Sequence, residues 1–191
     1  MTKSSLSAQV AFLLEVEKLK SVQRANRTVD GRRENSAEHS WHVALMAVLL
    51  QEHAASSLDM YRVVKMLLIH DLVEVDAGDT WLFGQERKDK ELVEDQAARR
   101  LFSMLPGEQE AEFLGLWYEF ESGDSEEAKF AQAIDGIQPL LNHVLTGSTS
   151  DGVVAVDEVR AKKLYISRYA PALWELVEEL IQQSVNKGLY A

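Results

Sequence analysis

The chain has 191 residues, 46% of them hydrophobic, which suits a single domain with a buried core and argues against wholesale disorder. Thirty-one acidic residues against 20 basic ones leave a formal charge of −11. Such a surface repels nucleic acid and anionic membranes, so any anionic ligand needs a local cation to hold it. Cysteine is absent, which excludes disulfides, thiolate nucleophiles and cysteine-bound zinc.

The first seven residues are polar and lack the apolar stretch of a signal peptide. No apolar run approaches the roughly 20 residues that span a bilayer. A cytoplasmic protein is expected. Only three prolines occur, and helical periodicity dominates. A first helix is predicted over residues 7–23, with Phe12, Val16 and Leu19 at helical spacing. Residues 24–33 are polar and basic, with Gly31 as a breaker, and read as a loop. Asn35 then opens a second helix, with Glu38 three residues on as in a capping box. Every residue from Val43 to Leu50 is apolar, so this helix should be buried nearly all round.

A third helix is predicted over residues 59–75, packing Val63, Val64, Met66, Leu67, Leu68 and Ile69, and Gly78-Asp79 ends it. Trp81 and Phe83 follow in a loop where they could line a substrate mouth. Further helices are expected over residues 85–105, 109–120 and 126–144, with Asp124 as the cap of the last. Gly136 and Pro139 should bend it. A final helical region over residues 157–185 should break at Pro171. Trp117, Tyr118, Phe120 and Trp174 read as core or subunit interface. The fold class is all-α: a single compact helical bundle over residues 1–191, with a core over about 7–145 and C-terminal helices over about 157–185.

The residues that could carry chemistry stand out against these apolar helices. His70 and Asp71 lie side by side at the end of an apolar run. A buried imidazole or carboxylate needs a partner, and a divalent cation would satisfy both. His39 begins the other strongly apolar helix, and Asp135 sits between Ile134 and Gly136-Ile137. Taken singly, each has an ordinary structural reading as a core residue, a cap or an ion-pair partner. Together they form a mixed nitrogen and oxygen set suited to one divalent ion: manganese, cobalt, iron, nickel, zinc or magnesium. Glu74 falls four positions after His70, on the same helix face. It could deprotonate a water or fix His70 in place. His42 reads as a residue that supports a ligand from behind or packs, while His53 and His143 read as surface or helix-end residues. Arg27, Arg32 and Arg33 read as solvated loop charges.

The order His39, His70-Asp71, Asp135 resembles the HD superfamily of metal-dependent phosphohydrolases. The segments Glu34-Asn35-Ser36-Ala37-Glu38-His39-Ser40, His70-Asp71-Leu72-Val73-Glu74 with Gly78-Asp79, and Lys129-Phe130-Ala131-Gln132-Ala133-Ile134-Asp135 resemble its 5′-deoxynucleotidase branch. The resemblance implies an HD-domain fold, one divalent metal, a homodimer and hydrolysis of a phosphate ester, with a nucleoside 5′-monophosphate as the expected substrate. It implies metal ligation by His39, His70, Asp71 and Asp135, proton handling by Glu74 and Asp79, and nucleotide contact by Arg24. Where the characterised bacterial type carries Trp after that Arg, this chain has Ala25. Glu74 is followed by Val75, not by the acid that alarmone hydrolases place there. Two alternatives stay open: an HD enzyme for another phosphate monoester or a nucleoside triphosphate, and a non-catalytic protein that keeps the metal for structure or regulation.

Overall fold

Ser4 opens the first helix by accepting the Ser7 amide at 3.2 Å. Helix α1 (Ser5–Val16) follows in the computed structural model, which describes residues 4–79, 89–149 and 152–191. It buries Phe12 and tightens into a 3₁₀ turn at Glu17–Ser21 that buries Leu19.

The basic stretch expected as a loop is instead a hairpin. Strand β1 (Gln23–Arg27) pairs antiparallel with β2 (Arg33–Asn35), Gln23 opposite Asn35 and Arg27 opposite Arg33. Thr28 and Gly31 make the turn, with Gly31 at φ 85° and its amide donating to the Thr28 carbonyl at 2.9 Å. The residues this hairpin turns inward are polar, Asn26 and Glu34. A hydrophobic alternation could not reveal them.

Asn35 and Glu38 cap each other's backbone amides at the start of α2 (Ser36–Leu50), as the spacing predicted. All-round burial of this helix is overturned: Val43, Met46 and Ala47 face the core, whereas Leu45, Val48 and Leu49 are exposed. Asp59 caps α3 (Met60–Ile69) by accepting from the Arg62 amide. Leu68 is exposed there, again against expectation. The predicted helix then tightens into a 3₁₀ turn at His70–Val73 before α4 (Glu74–Ala77). Gly78, at φ 74°, ends it.

Trp81 and Phe83 lie outside the described residues. Helix α5 (Lys90–Phe102) precedes α6 (Gly107–Ser122), which buries Leu116, Trp117 and Phe120. Ser125, not Asp124, caps α7 (Glu126–Thr146), its hydroxyl accepting from the Ala128 amide at 3.1 Å. Helix α7 is the pillar of the fold, packed against β1, α2, α3 and α6. Its buried face carries Phe130, Ala133, Ile134 and Ile137. Helices α8 (Val156–Lys163) and α9 (Ile166–Tyr169) precede the break at Pro171. Helix α10 (Trp174–Asn186) then returns along α7. Near the C-terminus, Tyr190 bridges in parallel to Val154. No helix among the described residues is long and apolar enough to cross a membrane.

Gly136 has a specific packing reason. A methyl group there would overlap the Tyr165 hydroxyl, which donates to the Gln132 carbonyl at 3.1 Å. Gly136→Ala should therefore lower stability by about 1–3 kcal/mol through overpacking, seen as a lower urea midpoint. Adding Tyr165→Phe should recover part of that loss. An unchanged midpoint in Gly136→Ala would contradict the close approach.

Candidate metal centre and active site

Three elements converge on one point. His39 comes from the first turn of α2, His70 and Asp71 from the 3₁₀ turn after α3, and Asp135 from the middle of α7. One ligand atom each from His39, His70 and Asp135 lies within 4.8 Å of the other two. Asp135 Oδ1 is 2.7 Å from His39 Nε2 and 3.6 Å from His70 Nε2. Asp71 joins them, with Oδ1 3.1 Å from His70 Nε2 and Oδ2 3.9 Å from His39 Nε2. The tightened backbone after Ile69 matters here, because it turns two consecutive side chains toward the same spot.

Both imidazoles are held from behind. His70 Nδ1 donates to the Leu67 carbonyl at 2.8 Å, which aims Nε2 at the cluster. That buried Nε2 has no hydrogen-bond partner among the described residues. His39 Nδ1 faces Gln138 Oε1 at 3.2 Å, and Gln138 Nε2 donates to Glu34 Oε1 at 2.9 Å. Such backing fixes the ring orientation of metal-binding histidines. An orphaned imidazole nitrogen beside two carboxylates fits a divalent cation, and the nitrogen and oxygen donor set suits a first-row metal or magnesium.

The charges of these side chains shift one another's titration. Burial alone would raise the Asp135 carboxyl, but His39 and His70 overcome it and hold Asp135 well below the usual carboxylate range. Burial would lower His70, yet Asp71 and Asp135 outweigh it and carry the imidazole up to about 9. Glu74 is pushed well above its ordinary value by burial, with the charge of Asp71 adding to the effect. Ser36 Oγ donates to Glu74 Oε2 at 2.5 Å.

Arg24, on β1, is the internal cation of this cluster. Its Nη1 donates to Asp71 Oδ2 at 2.8 Å and lies 3.5 Å from Asp79 Oδ1 and 3.8 Å from Glu74 Oε1. All seven residues singled out in the sequence are thus brought together. Arg24, His70, Asp71, Glu74, Asp79 and Asp135 line one cavity of about 260 Å³, and His39 lies buried beneath it. Ala25 lines it too. Arg32 instead pairs with Glu38, and Arg27 bonds the Gly31 carbonyl.

The sequence reading missed several participants. His143, read as a surface or helix-end residue, does lie in the last turn of α7 but is buried, with Nδ1 2.6 Å from the Tyr190 hydroxyl and Nε2 3.1 Å from Asn26 Oδ1. The C-terminal segment folds over it, which no local pattern could disclose. Gln138 and Glu34 were missed as supports of His39. A polar Gln one turn beyond Asp135 in an apolar helix was the available signal.

The raised His70 sets a pH dependence. Its folded pKa of about 9 lies above the ordinary 6.5, so its stabilisation is complete below 6.5 and is lost as pH rises toward 9. Glu74, also raised, acts in the same sense. Metal-stripped protein should therefore lose stability between pH 6.5 and 8, before the buried Lys163, pulled down to about 8, acts in the opposite direction. Urea unfolding across that range checks this, and His70→Gln should make the decline shallower. Stability that is flat or rising in the stripped wild type would contradict it.

A family model described as HD domain matches residues 16–174. The crystal structure of a predicted metal-dependent phosphohydrolase from Magnetospirillum magnetotacticum MS-1 covers 99% of this chain and 100% of its own, at 40% identity and a TM-score of 0.88. The 5′-deoxynucleotidase HDDC2 of Homo sapiens is 31% identical over 134 residues, 68% of this chain and 64% of that protein. Its Mus musculus counterpart is 30% identical over 134 residues, 68% of this chain and 65% of that protein. The chain thus spans a little under two thirds of the length of these curated relatives. A match that runs from residue 16 to residue 174 and carries the histidine and aspartate cluster of the cavity makes this chain a member of the HD-domain family.

Proposed function

We propose that the protein is a divalent-metal-dependent phosphohydrolase that removes phosphate from nucleoside 5′-monophosphates, deoxy in preference. The observation that carries this reading is the buried, unpartnered His70 Nε2 beside Asp71 and Asp135, at the wall of a cavity that also holds Arg24, Glu74 and Asp79. The names of the relatives, 5′-deoxynucleotidase and predicted metal-dependent phosphohydrolase, support it.

In this reading His39, His70, Asp71 and Asp135 hold one ion of manganese, cobalt, iron, nickel, zinc or magnesium. A divalent ion there supplies a nucleophile active at neutral pH and offsets charge on the transferring phosphoryl group. Arg24 releases part of its hold on the acids and grips phosphate oxygens, its guanidinium suited to a two-point contact. Glu74 and Asp79 divide the proton handling. One accepts a proton from the attacking water, and the other gives one to the leaving sugar oxygen. Ser36 holds the Glu74 carboxylate in place for either role. Ala25 leaves open the space beside Arg24 that a bulky residue would fill, so the sugar and base must be gripped by other walls of the cavity.

A homodimer and a cytoplasmic setting complete the reading. Trp41, Leu45, Val48 and Leu49 on the single helix α2 are exposed, and they offer apolar surface for a contact between subunits. Light scattering should then report twice the mass of one chain. The absence of cysteine suits a reducing compartment.

A screen of nucleoside and other phosphate monoesters, with each candidate metal, tests the activity. Hydrolysis of 5′-monophosphates is expected. His70→Ala or Asp71→Ala should abolish it, and Arg24→Ala should raise KM by roughly 10- to 100-fold. Bound metal with no turnover on any phosphate ester would leave a non-catalytic protein instead.

A further inference from the structure

Among the described residues, the arginine and lysine side chains lining the cavity are Arg24, Lys90, Lys162 and Lys163. Three of them have carboxylate partners. Arg24 bonds Asp71, Lys90 lies 3.6 Å from Glu94, and Lys162 lies 3.4 Å from Glu158. Lys163 differs. It has neither a hydrogen bond nor an ion pair among the described residues, and it is only 4% exposed.

A lysine at a helix end ordinarily reaches water with its flexible stem. Lys163 closes α8, where the helix dipole welcomes a cation, yet its side chain is buried in the cavity wall. Burial pulls the ammonium down to about 8, the attraction of Asp135 holds it up, and Arg24 repels it. It therefore keeps its charge at neutral pH. In a chain of net charge −11, a lysine that lines this cavity with no hydrogen bond or ion pair among the described residues, within reach of the field of Arg24, sets two like charges around one space. Removing an ammonium from water is unfavourable unless something anionic meets it. The anion that suits both is the ligand.

We propose that Lys163 is a substrate-binding residue of this site, its ammonium holding phosphoryl oxygens together with Arg24. The proposal rests on the phosphomonoesterase reading above. It adds a second protein cation to that reading, and the sequence pattern did not suggest it. Lysine acts here as a point charge with three donors, where Arg24 offers a planar fork.

Inorganic phosphate is the probe. Calorimetry on metal-loaded protein should give Lys163→Met a phosphate affinity about 10- to 100-fold weaker than wild type, and Lys163→Arg should recover most of it. The ligand-free Lys163→Met protein should melt no lower than wild type, because it loses an unpaired buried charge. Unchanged phosphate affinity in Lys163→Met overturns the proposal, even if nucleotide KM shifts, since the contact would then lie on sugar or base. Weaker binding together with a lower melting temperature, and no recovery in Lys163→Arg, also overturns it and makes Lys163 a structural prop. Wild-type protein that binds phosphate through Lys163 but hydrolyses no monophosphate would sink the nucleotidase reading and leave the phosphate seat standing. Wild-type protein without phosphate affinity would sink both.

Discussion

Asp71, Glu74 and Asp79 crowd around Arg24, and Asp135 meets two imidazoles, at the wall of one cavity in a helical fold, and the pairing of these charges governs the rest of the structure. Charges of one sign brought within a few ångströms in a poorly solvated space raise each other's energy steeply. Here the compensation is internal. His39 and His70 hold Asp135 ionised, and Arg24 reaches between Asp71, Glu74 and Asp79. The imbalance remains visible in His70 Nε2, which lies near two carboxylates and bonds to neither. A divalent cation resolves it, because one compact positive charge can meet two imidazole lone pairs and two carboxylates at once.

The secondary structure supplies the precision this needs. Helix α7 carries Asp135 and Gln138 on adjacent turns, so that carboxylate and the support of His39 are rigidly related. The capping of α2 by Asn35 fixes where the first turn begins, and with it His39. The 3₁₀ turn after α3 aims His70 and Asp71 together, and Gly78 ends α4 so that Asp79 can approach Arg24. The small hairpin looks minor, yet it delivers Arg24 from one strand and Glu34 from the other.

How much of this was legible depended on what each residue's neighbours were. His70-Asp71 ends an apolar run, so its chemistry contradicts its setting and shows in the sequence. Asp135 between Ile134 and Ile137 is conspicuous for the same reason. The capping box at Asn35 and Glu38 and the break at Pro171 are local chemistry and were readable. The hairpin was not, because its inward residues are polar and its basic residues look like a solvated loop. The apolar run of α2 misled in the opposite direction: a continuous stretch reads as buried all round, whereas Leu45, Val48 and Leu49 face outward. Lys163 was hidden among Arg160 and Lys162 on a helix that reads as a charged surface. A clue existed, since it falls four residues after Val159 and three before Ile166, both fully buried.

A divalent ion bound by this cluster must displace a proton from His70. Calorimetric titration of chelator-stripped protein with manganese or cobalt at pH 7, repeated in buffers of different ionisation enthalpy, tests it most directly. The account predicts about one equivalent bound per chain with net proton release, and loss of that release in His70→Gln. Absence of binding, or binding with no proton released from the wild type, would contradict it.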